Sequence, residues 1–184
     1  MVAKTGRVSG YDVPAEGYRE LYGEEQLQKY DLIFRNSTID LENVERVLDV
    51  GCGIGLLREY LRELGFDGLY IGLDILEDRI MEAKKNRDRN SDLILADAHH
   101  LPFRDRSFDL IALITVAHLL KIEESLKELK RASKRILIIT ILKGIDFSAK
   151  LFKIVKELMS GWMVTSLDKP WIKDLICISI RRGD

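Results

Sequence analysis

The chain has 184 residues, of which 46% are hydrophobic, so it can bury the core of one domain without disulfides or a structural metal. Its 29 basic and 30 acidic residues give a formal net charge of −1, and this composition offers no strong signal for nucleic-acid binding. Residues 136–142 form the longest apolar run, which is too short to span a bilayer, and residues 1–10 lack the apolar stretch of a signal peptide. We therefore expect a cytoplasmic protein that does not enter the membrane.

Two further features of the composition concern the environment of the protein. The cysteines Cys52 and Cys177 have no partners at metal-ligand spacing, so we predict neither a disulfide framework nor a metal site. Charged residues make up 32% of the chain, whereas asparagine and glutamine are scarce, which is a tendency of thermophilic proteins. The composition therefore also predicts a thermophilic protein.

Residues 1–40 precede the first strong strand signal. Within them, residues 15–34 (AEGYRELYGEEQLQKYDLIF) have the spacing of a helix with several aromatic and leucine positions. No low-complexity linker separates this segment from the rest of the chain. We predict a helical cap in residues 1–40, seated on a single domain formed by residues 41–184.

The rest of the chain alternates between strand-like and helix-like segments. The strand-like segments are residues 46–50, 68–75, 92–97, 107–115 and 135–143. The helix-like segments are residues 56–64, 77–90, 122–133 and 147–159. Alternation of this kind is typical of βαβ units, which build a parallel sheet with helices on both faces. We therefore predict an α/β fold with a Rossmann-like, doubly wound sheet of about seven strands.

The last part of the chain departs from the alternation. Two strand-like pieces in residues 162–182 flank a turn at residues 168–170, which read Asp-Lys-Pro. Because a short turn joins antiparallel strands, we expect these pieces to form a hairpin at one edge of the otherwise parallel sheet.

Three glycines on alternate positions follow the first predicted strand, in RVLDVGCGIGLL (residues 46–57). Gly51, Gly53 and Gly55 thus occupy the first strand-to-helix turn, which in a doubly wound sheet is the usual ligand cradle. A dinucleotide-binding loop would need glycine at position 56, where this chain has Leu56. The tighter spacing, preceded by Asp49, favours a ligand with an amino-acid end and argues against a nicotinamide oxidoreductase.

The motif VLDVGCGIGLL resembles the signature loop of class I S-adenosylmethionine-dependent methyltransferases. In the same order, YIGLDI (residues 70–75) resembles their second-strand motif. LILADAHHLPFRDRSFDLIAL (residues 93–113) resembles the third motif and fourth strand of the small methyltransferases that include the quinone-biosynthesis type. The resemblance spans about residues 44–142 and, more loosely, the final hairpin. It implies S-adenosylmethionine as the cofactor and methyl transfer as the reaction.

The resemblance also implies roles for individual residues. Asp74 would hold the two ribose hydroxyls, with Ile75 beside the adenine. Asp97 would accept from the adenine amino group, and the N–H of Ala98 would address a ring nitrogen. Asp49 would contact the cofactor's ammonium or, alternatively, hold the N–H groups of the glycine turn. The predicted cofactor-binding residues are Asp49, Gly51, Cys52, Gly53, Gly55, Asp74, Ile75, Asp97, Ala98 and Ile114.

Residues near the predicted methyl end are candidates for the acceptor pocket. His118 follows the fourth strand and is interpreted either as a general base or as a histidine that forms local hydrogen bonds at a helix start. A base is not required in every methyl transfer, because the sulfonium is already a good electrophile. Tyr11, Tyr18, Tyr22 and Thr115 are predicted to line the acceptor pocket; alternatively, the tyrosines only pack the helix onto the sheet.

The methyl acceptor is the least specified part of the prediction. LITVAH (residues 113–118) lacks the Pro-Pro-aromatic motif of enzymes that methylate base amines or glutamine amides. Little sequence lies beyond the minimal fold, and we therefore predict a small-molecule acceptor. The alternatives are an RNA or protein methyltransferase that works with a small activator subunit, and a cofactor-binding subunit without turnover. The expected protein partner is a second copy of the chain, in a homodimer, or a small activator subunit.

Overall fold

In the computed structural model, which describes residues 14–35 and 39–182, seven strands form one sheet. The strands are β1 (Arg46–Val50), β2 (Leu69–Asp74), β3 (Ser91–Leu95), β4 (Phe108–Leu113), β5 (Ser133–Leu142), β6 (Trp162–Leu167) and β7 (Asp174–Arg181). The helices are α1 (Ala15–Tyr30), α2 (Leu56–Glu63), α3 (Glu77–Lys84), α4 (Ile122–Ala132) and α5 (Ser148–Leu158). A π-helical turn, Asp31–Arg35, follows α1, and short 3-10 turns occupy Leu41–Asn43 and Ala117–Leu119.

The strand order is β3-β2-β1-β4-β5-β7-β6. Strands β1 to β5 pair in parallel, whereas β7 is antiparallel to both β5 and β6. The predicted doubly wound α/β sheet with an antiparallel C-terminal hairpin is thus confirmed. Because the chain proceeds from β1 to β2 on one side and returns to β4 on the other, a crevice opens at the carboxyl ends of β1 and β4, where ligands bind in such sheets.

The third and fourth strands each end two residues earlier than the sequence predicts. The fourth strand stops at Leu113, because Thr115 has a φ of 61° and this left-handed conformation cannot continue a strand. The third strand stops at Leu95, and the chain turns at Asp97, whose carbonyl accepts from the N–H of His100 at 3.1 Å. The residues after both strands therefore form loops at the carboxyl edge.

Apolar side chains cover both faces of the sheet. One cluster packs beneath α1 and α2 and includes Tyr30, Leu57 and Leu110. The other packs beneath α4 and α5 and includes Ile111 and Leu126. Every residue of β4 is buried, as expected for the central strand of a parallel sheet covered on both faces. The strands thus form a rigid base for the loops at their carboxyl ends.

The N-terminal helix α1 lies on the same side of the sheet as α2 and α3 and contacts both. The ring of Tyr30 lies 5.4 Å, centroid to centroid, from that of Tyr60 in α2. At the surface, Arg19 forms an ion pair with Glu59 at 2.8 Å. These contacts bring α1 over the crevice.

Gly72 of β2 lies directly beneath the glycine turn, and we predict that alanine at this position destabilises the fold. A Cβ there would lie 2.9 Å from Sγ of Cys52 and 2.8 Å from Cδ2 of Leu93, so the turn or Leu93 must shift. We expect Gly72→Ala to lower the free energy of unfolding by about 1–3 kcal/mol, measured by chemical denaturation. In a Cys52→Ala background the same change should cost less. Equal cost in both backgrounds would show that Cys52 does not restrict position 72.

Candidate functional site

A pocket occupies the crevice at the carboxyl ends of β1, β2 and β4, beneath α1. Its walls come from the glycine turn, the end of β2, the loops after β3 and β4, and one side of α1. Of the predicted cofactor-binding residues, nine line it: Asp49, Gly51, Cys52, Gly53, Asp74, Ile75, Asp97, Ala98 and Ile114. Segments far apart in sequence therefore meet at one cavity.

The glycine turn is attached to the neighbouring strand. The N–H groups of Gly51 and Cys52 both donate to the carbonyl of Leu73, at 2.7 and 2.9 Å. Gly51 has a φ of 75°, and a Cβ there would lie 2.5 Å from Val116, so the turn packs against the loop after β4. At Gly53 no described atom lies within 4 Å of the Cβ position, and a ligand can reach the backbone there.

Gly55 has a different position from the other two glycines. It precedes α2 with a φ of 84° and does not line the pocket. Its N–H donates to the carbonyl of Cys52 at 3.0 Å. Gly55 therefore closes the turn and starts the helix.

Asp74, at the end of β2, links the turn to the strand. One carboxylate oxygen accepts from the N–H of Gly53 at 2.8 Å, and the other accepts from the N–H of Leu76 at 3.0 Å. Burial raises the pKa of Asp74, while these backbone hydrogen bonds and the charge of Arg79 oppose the rise. A carboxylate has about four acceptor sites, so Asp74 keeps the capacity to bind hydroxyl groups.

Asp49, at the end of β1, is only 4% exposed, and the hydroxyl of Tyr70 donates to its carboxylate at 2.6 Å. Burial raises the pKa of Asp49 to about 7; the Tyr70 hydrogen bond opposes this rise and the charge of Asp74 adds to it. The carboxylate that holds a glycine-turn N–H is that of Asp74, at Gly53. Asp49 therefore keeps acceptor capacity toward the pocket.

The loop after β3 supplies an ionised carboxylate. Asp97 accepts from the N–H of His99 at 2.9 Å and contacts its Nδ1 at 2.5 Å. Partial burial raises the pKa of Asp97, but the hydrogen bonds from His99 outweigh this effect and the net shift is downward. Nε2 of His99 accepts from the N–H of Lys121 at 3.1 Å, so the loop is braced against the start of α4. Beside Asp97, Ala98 is buried.

The loop after β4 forms an apolar wall. Ile114, Val116, Leu119 and Leu120 all line the pocket. Thr115 does not line it, because its hydroxyl lies 3.0 Å from the ammonium of Lys29 in α1. The prediction that Thr115 faces the acceptor is therefore not supported by the position of its side chain.

The predicted catalytic histidine also lies behind this wall. His118 belongs to the turn Ala117–Leu119 and does not line the pocket. Its Nδ1 is buried and has no hydrogen-bond partner among the described residues. Burial lowers the pKa of His118, and the nearby charge of Lys29 also lowers it while that of Asp174 raises it. The net effect favours the neutral form of the imidazole.

The predicted tyrosines differ in position. Tyr18 lines the pocket, whereas Tyr22 does not. The ring of Tyr22 packs against that of Tyr18, with the centroids 5.1 Å apart. Tyr11 lies outside the described residues. The same side of α1 adds Gln26 and Tyr30 to the lining, which the sequence analysis missed. The helical spacing that relates Tyr18 to Gln26 is the signal that could have found them.

Two other pocket features have no clear signal in the sequence. Arg79 of α3 lines the pocket with its guanidinium 4.5 Å from the centroid of the Tyr18 ring. Tyr70 is fully buried in β2 and reaches the pocket only through Asp49. Packing between helices and strands places both residues at the pocket, and neither belongs to a recognisable sequence motif.

Within the part of the chain that the structure describes, no group of three His, Cys, Asp or Glu side chains could hold a metal ion. No helix among residues 14–35 and 39–182 is long and apolar enough to cross a bilayer.

Known proteins resemble this chain in sequence. A family model described as a methyltransferase domain matches residues 48–139. A demethylmenaquinone methyltransferase of Thermotoga maritima is 32% identical over 98 residues, which cover 46% of this chain and 42% of that protein. The matches to the first curated relatives cover between 36% and 45% of their lengths, so the chain spans less than half of them.

Solved structures share the fold. A SAM-dependent methyltransferase of Aquifex aeolicus has a TM-score of 0.66 and 20% identity, over 95% of this chain and 97% of that one. A methyltransferase solved in complex with the Haloferax volcanii Trm112 activator has a TM-score of 0.65 and 14% identity, over 94% and 99% of the chains.

The family match extends over half of the chain and includes the glycine turn, Asp74 and Asp97. These are the residues that the structure brings together at the pocket. The chain therefore belongs to the methyltransferase-domain family, whose cofactor is S-adenosylmethionine.

Proposed function

We propose that this protein transfers the methyl group of S-adenosylmethionine to a small, largely apolar acceptor. The observation that carries the proposal is the convergence of Asp49, Asp74 and Asp97 with the glycine turn on one pocket. These groups offer carboxylates and an accessible backbone to a ligand that carries an ammonium, hydroxyls and an adenine. The residues present thus fit the cofactor of the family.

Each of these groups has a proposed partner on the cofactor. Asp74, oriented by two backbone N–H groups, would accept from the ribose hydroxyls, with Ile75 beside the adenine. Asp97, which stays ionised, would accept from the adenine amino group beside the N–H of Ala98. Asp49 would lie near the ammonium. In the same proposal α1 is a cap that covers the bound cofactor, since it contributes Tyr18, Gln26 and Tyr30 to the lining.

When bound, S-adenosylmethionine supplies an electrophilic methyl group on a sulfonium, with a neutral sulfide as the leaving group. The chain's contribution is then mainly to align the acceptor with the methyl group and to exclude water. The wall of Ile114, Val116, Leu119 and Leu120 suits both tasks, because it is apolar. Because His118 does not line the pocket, the proposal does not depend on a general base.

The apolar wall also supports the acceptor class. A polar or charged acceptor body would lose hydration against these side chains without regaining hydrogen bonds. The relative from Thermotoga maritima is named as acting on a demethylated menaquinone. A small apolar molecule with one nucleophilic atom is therefore the acceptor that we favour.

A macromolecular acceptor reached with an activator subunit is the second candidate. Trp171 is 68% exposed, whereas Trp162 is buried, and an exposed tryptophan is typical of a surface that contacts a partner. A structural neighbour is solved in complex with an activator. This candidate predicts transfer to RNA or protein.

The acceptor is tested by incubating the purified chain with methyl-labelled S-adenosylmethionine and separate fractions of lipid-soluble metabolites, RNA and protein. We expect label in the lipid-soluble fraction. Label only in RNA or protein would favour the second candidate. Cofactor binding without transfer to any fraction would indicate a cofactor-binding subunit without turnover.

We predict that Asp74→Asn weakens binding of S-adenosylhomocysteine by about 10- to 100-fold, because hydrogen bonds to a charged group contribute about 1.5–3 kcal/mol. Isothermal titration calorimetry measures the affinity, and a thermal melt shows whether the fold is intact. Asp92→Asn is the matched control, since this carboxylate lies on β3 with 62% of its side chain exposed. Wild-type affinity in a folded Asp74→Asn variant would contradict the assignment.

We predict that cofactor binding releases a proton near pH 6. With a pKa of about 7, Asp49 is largely protonated at that pH, and a bound ammonium would favour the carboxylate and lower its pKa. Affinity should therefore rise from pH 6 to pH 8, as the cost of deprotonation disappears. Calorimetry in two buffers of different ionisation enthalpy measures the released proton. Asp49→Asn should abolish the release; release that persists in this variant would assign it to another group.

A further inference from the structure

A buried ion pair joins the N-terminal helix to the C-terminal hairpin. Nζ of Lys29 in α1 lies 2.5 Å from Oδ2 of Asp174, the first residue of β7, and both side chains are 0% exposed. The ammonium also lies 3.0 Å from Oε1 of Glu25. Because a buried charge without a partner is strongly unfavourable, removal of Lys29 would destabilise the fold around the buried carboxylate of Asp174.

The ion pair is connected to Thr115 in the loop after β4 by two routes. The ammonium of Lys29 donates to the hydroxyl of Thr115 at 3.0 Å. On the second route, the N–H of Thr115 donates to the hydroxyl of Thr140 at 2.7 Å, and this hydroxyl donates to Asp174 at 3.0 Å. The side chain and the backbone of Thr115 are thus both anchored to the pair.

Thr115 needs such anchoring because of its backbone conformation. Its φ of 61° lies in the left-handed region, which β-branched residues rarely adopt. Strained conformations of this kind persist where the surrounding contacts enforce them. Here the hydrogen bonds of Thr115 hold this conformation. One joins its hydroxyl to Lys29, and another joins its N–H to Thr140, which in turn donates to Asp174.

The conformation of Thr115 determines the wall of the pocket. Its two neighbours, Ile114 and Val116, both line the pocket. Val116 also packs so closely on Gly51 that a Cβ there would lie 2.5 Å from it. A change in the conformation of Thr115 would therefore move the apolar wall. It would also remove the contact of Val116 with the glycine turn.

We propose that the Lys29–Asp174 ion pair positions the methyl-acceptor end of the pocket. It holds Thr115 in its left-handed conformation and, through Lys29, seats the pocket-lining side of α1. Lys29, Asp174 and Thr140 are positioning residues, since none of them lines the pocket. That this wall is the methyl-acceptor end rests on the proposed function; the role of the ion pair in positioning the wall does not.

The test compares Lys29→Met with Lys173→Met in the full chain. Lys173 forms a 2.6 Å ion pair with Glu25 and joins the same two parts of the molecule, but its side chain is 67% exposed. Amide hydrogen exchange of the cofactor-free protein is followed by NMR. The amide of Thr115 donates to Thr140 and that of Leu119 donates to the carbonyl of Val116. In Lys29→Met we expect the Thr115 and Leu119 amides to exchange at least about tenfold faster, with Leu48 and Ile111 unchanged. In Lys173→Met all four amides should match the wild type.

A uniform rise in exchange throughout the sheet would overturn the proposal, because it would show only a loss of global stability. Unchanged protection of Thr115 in Lys29→Met would overturn it as well. If Lys29→Met does not fold, Lys29→Met/Asp174→Asn replaces it, since this double variant removes both buried charges and its amide can still accept from Thr140. The same local rise in exchange is expected there.

The second measurement is the affinity for S-adenosylhomocysteine by calorimetry. We expect at least about a tenfold loss in the folded Lys29 variant and no loss in Lys173→Met. Wild-type affinity combined with rapid exchange at Thr115 and Leu119 would overturn the claim that the pair positions the pocket. Failure of the wild type to bind would instead reject the proposed function, and the exchange result would still decide whether the pair holds the loop.

Discussion

The carbonyl of Leu73 at the end of β2 accepts the N–H groups of both Gly51 and Cys52. These two hydrogen bonds attach the turn after β1 to its neighbouring strand, and the rest of the pocket depends on them. They place Gly53 within reach of Asp74, and they press Gly51 against Val116. If the turn were free to move, the backbone of Gly53 would separate from the carboxylate of Asp74.

The three pocket carboxylates have different electrostatic surroundings. Burial raises the pKa of Asp49 and of Asp74, whereas hydrogen bonds from His99 lower that of Asp97 overall. The ionised forms of Asp49 and Asp74 are therefore unfavourable in the empty pocket, and a cation or hydroxyl donors would stabilise them. This arrangement favours a ligand with a positive end and a sugar, and it disfavours a phosphate at the same place.

Much of this site follows from local sequence, because parallel strands end at one edge and Asp49, Asp74 and Asp97 each stand at or just after a strand end. The strands themselves are apolar runs of the expected length. The contacts that connect α1 to β7 were beyond sequence reasoning, because an ion pair such as Lys29–Asp174 depends on how distant elements pack. Thr115 was misread for a related reason: its β-branched side chain suits a strand, and only the tertiary contacts enforce its turn.

Cys52 shows a consequence of the same packing for chemical selectivity. Cys52 is one of the residues that line the pocket. Burial raises the pKa of its thiol well above the usual value, and the charges of Asp49 and Asp74 raise it further. A thiolate is the nucleophilic form of cysteine, and here it is suppressed. Under the proposed function, this protonated sulfur would be a poor methyl acceptor beside the cofactor, and the glycine turn would remain unmodified.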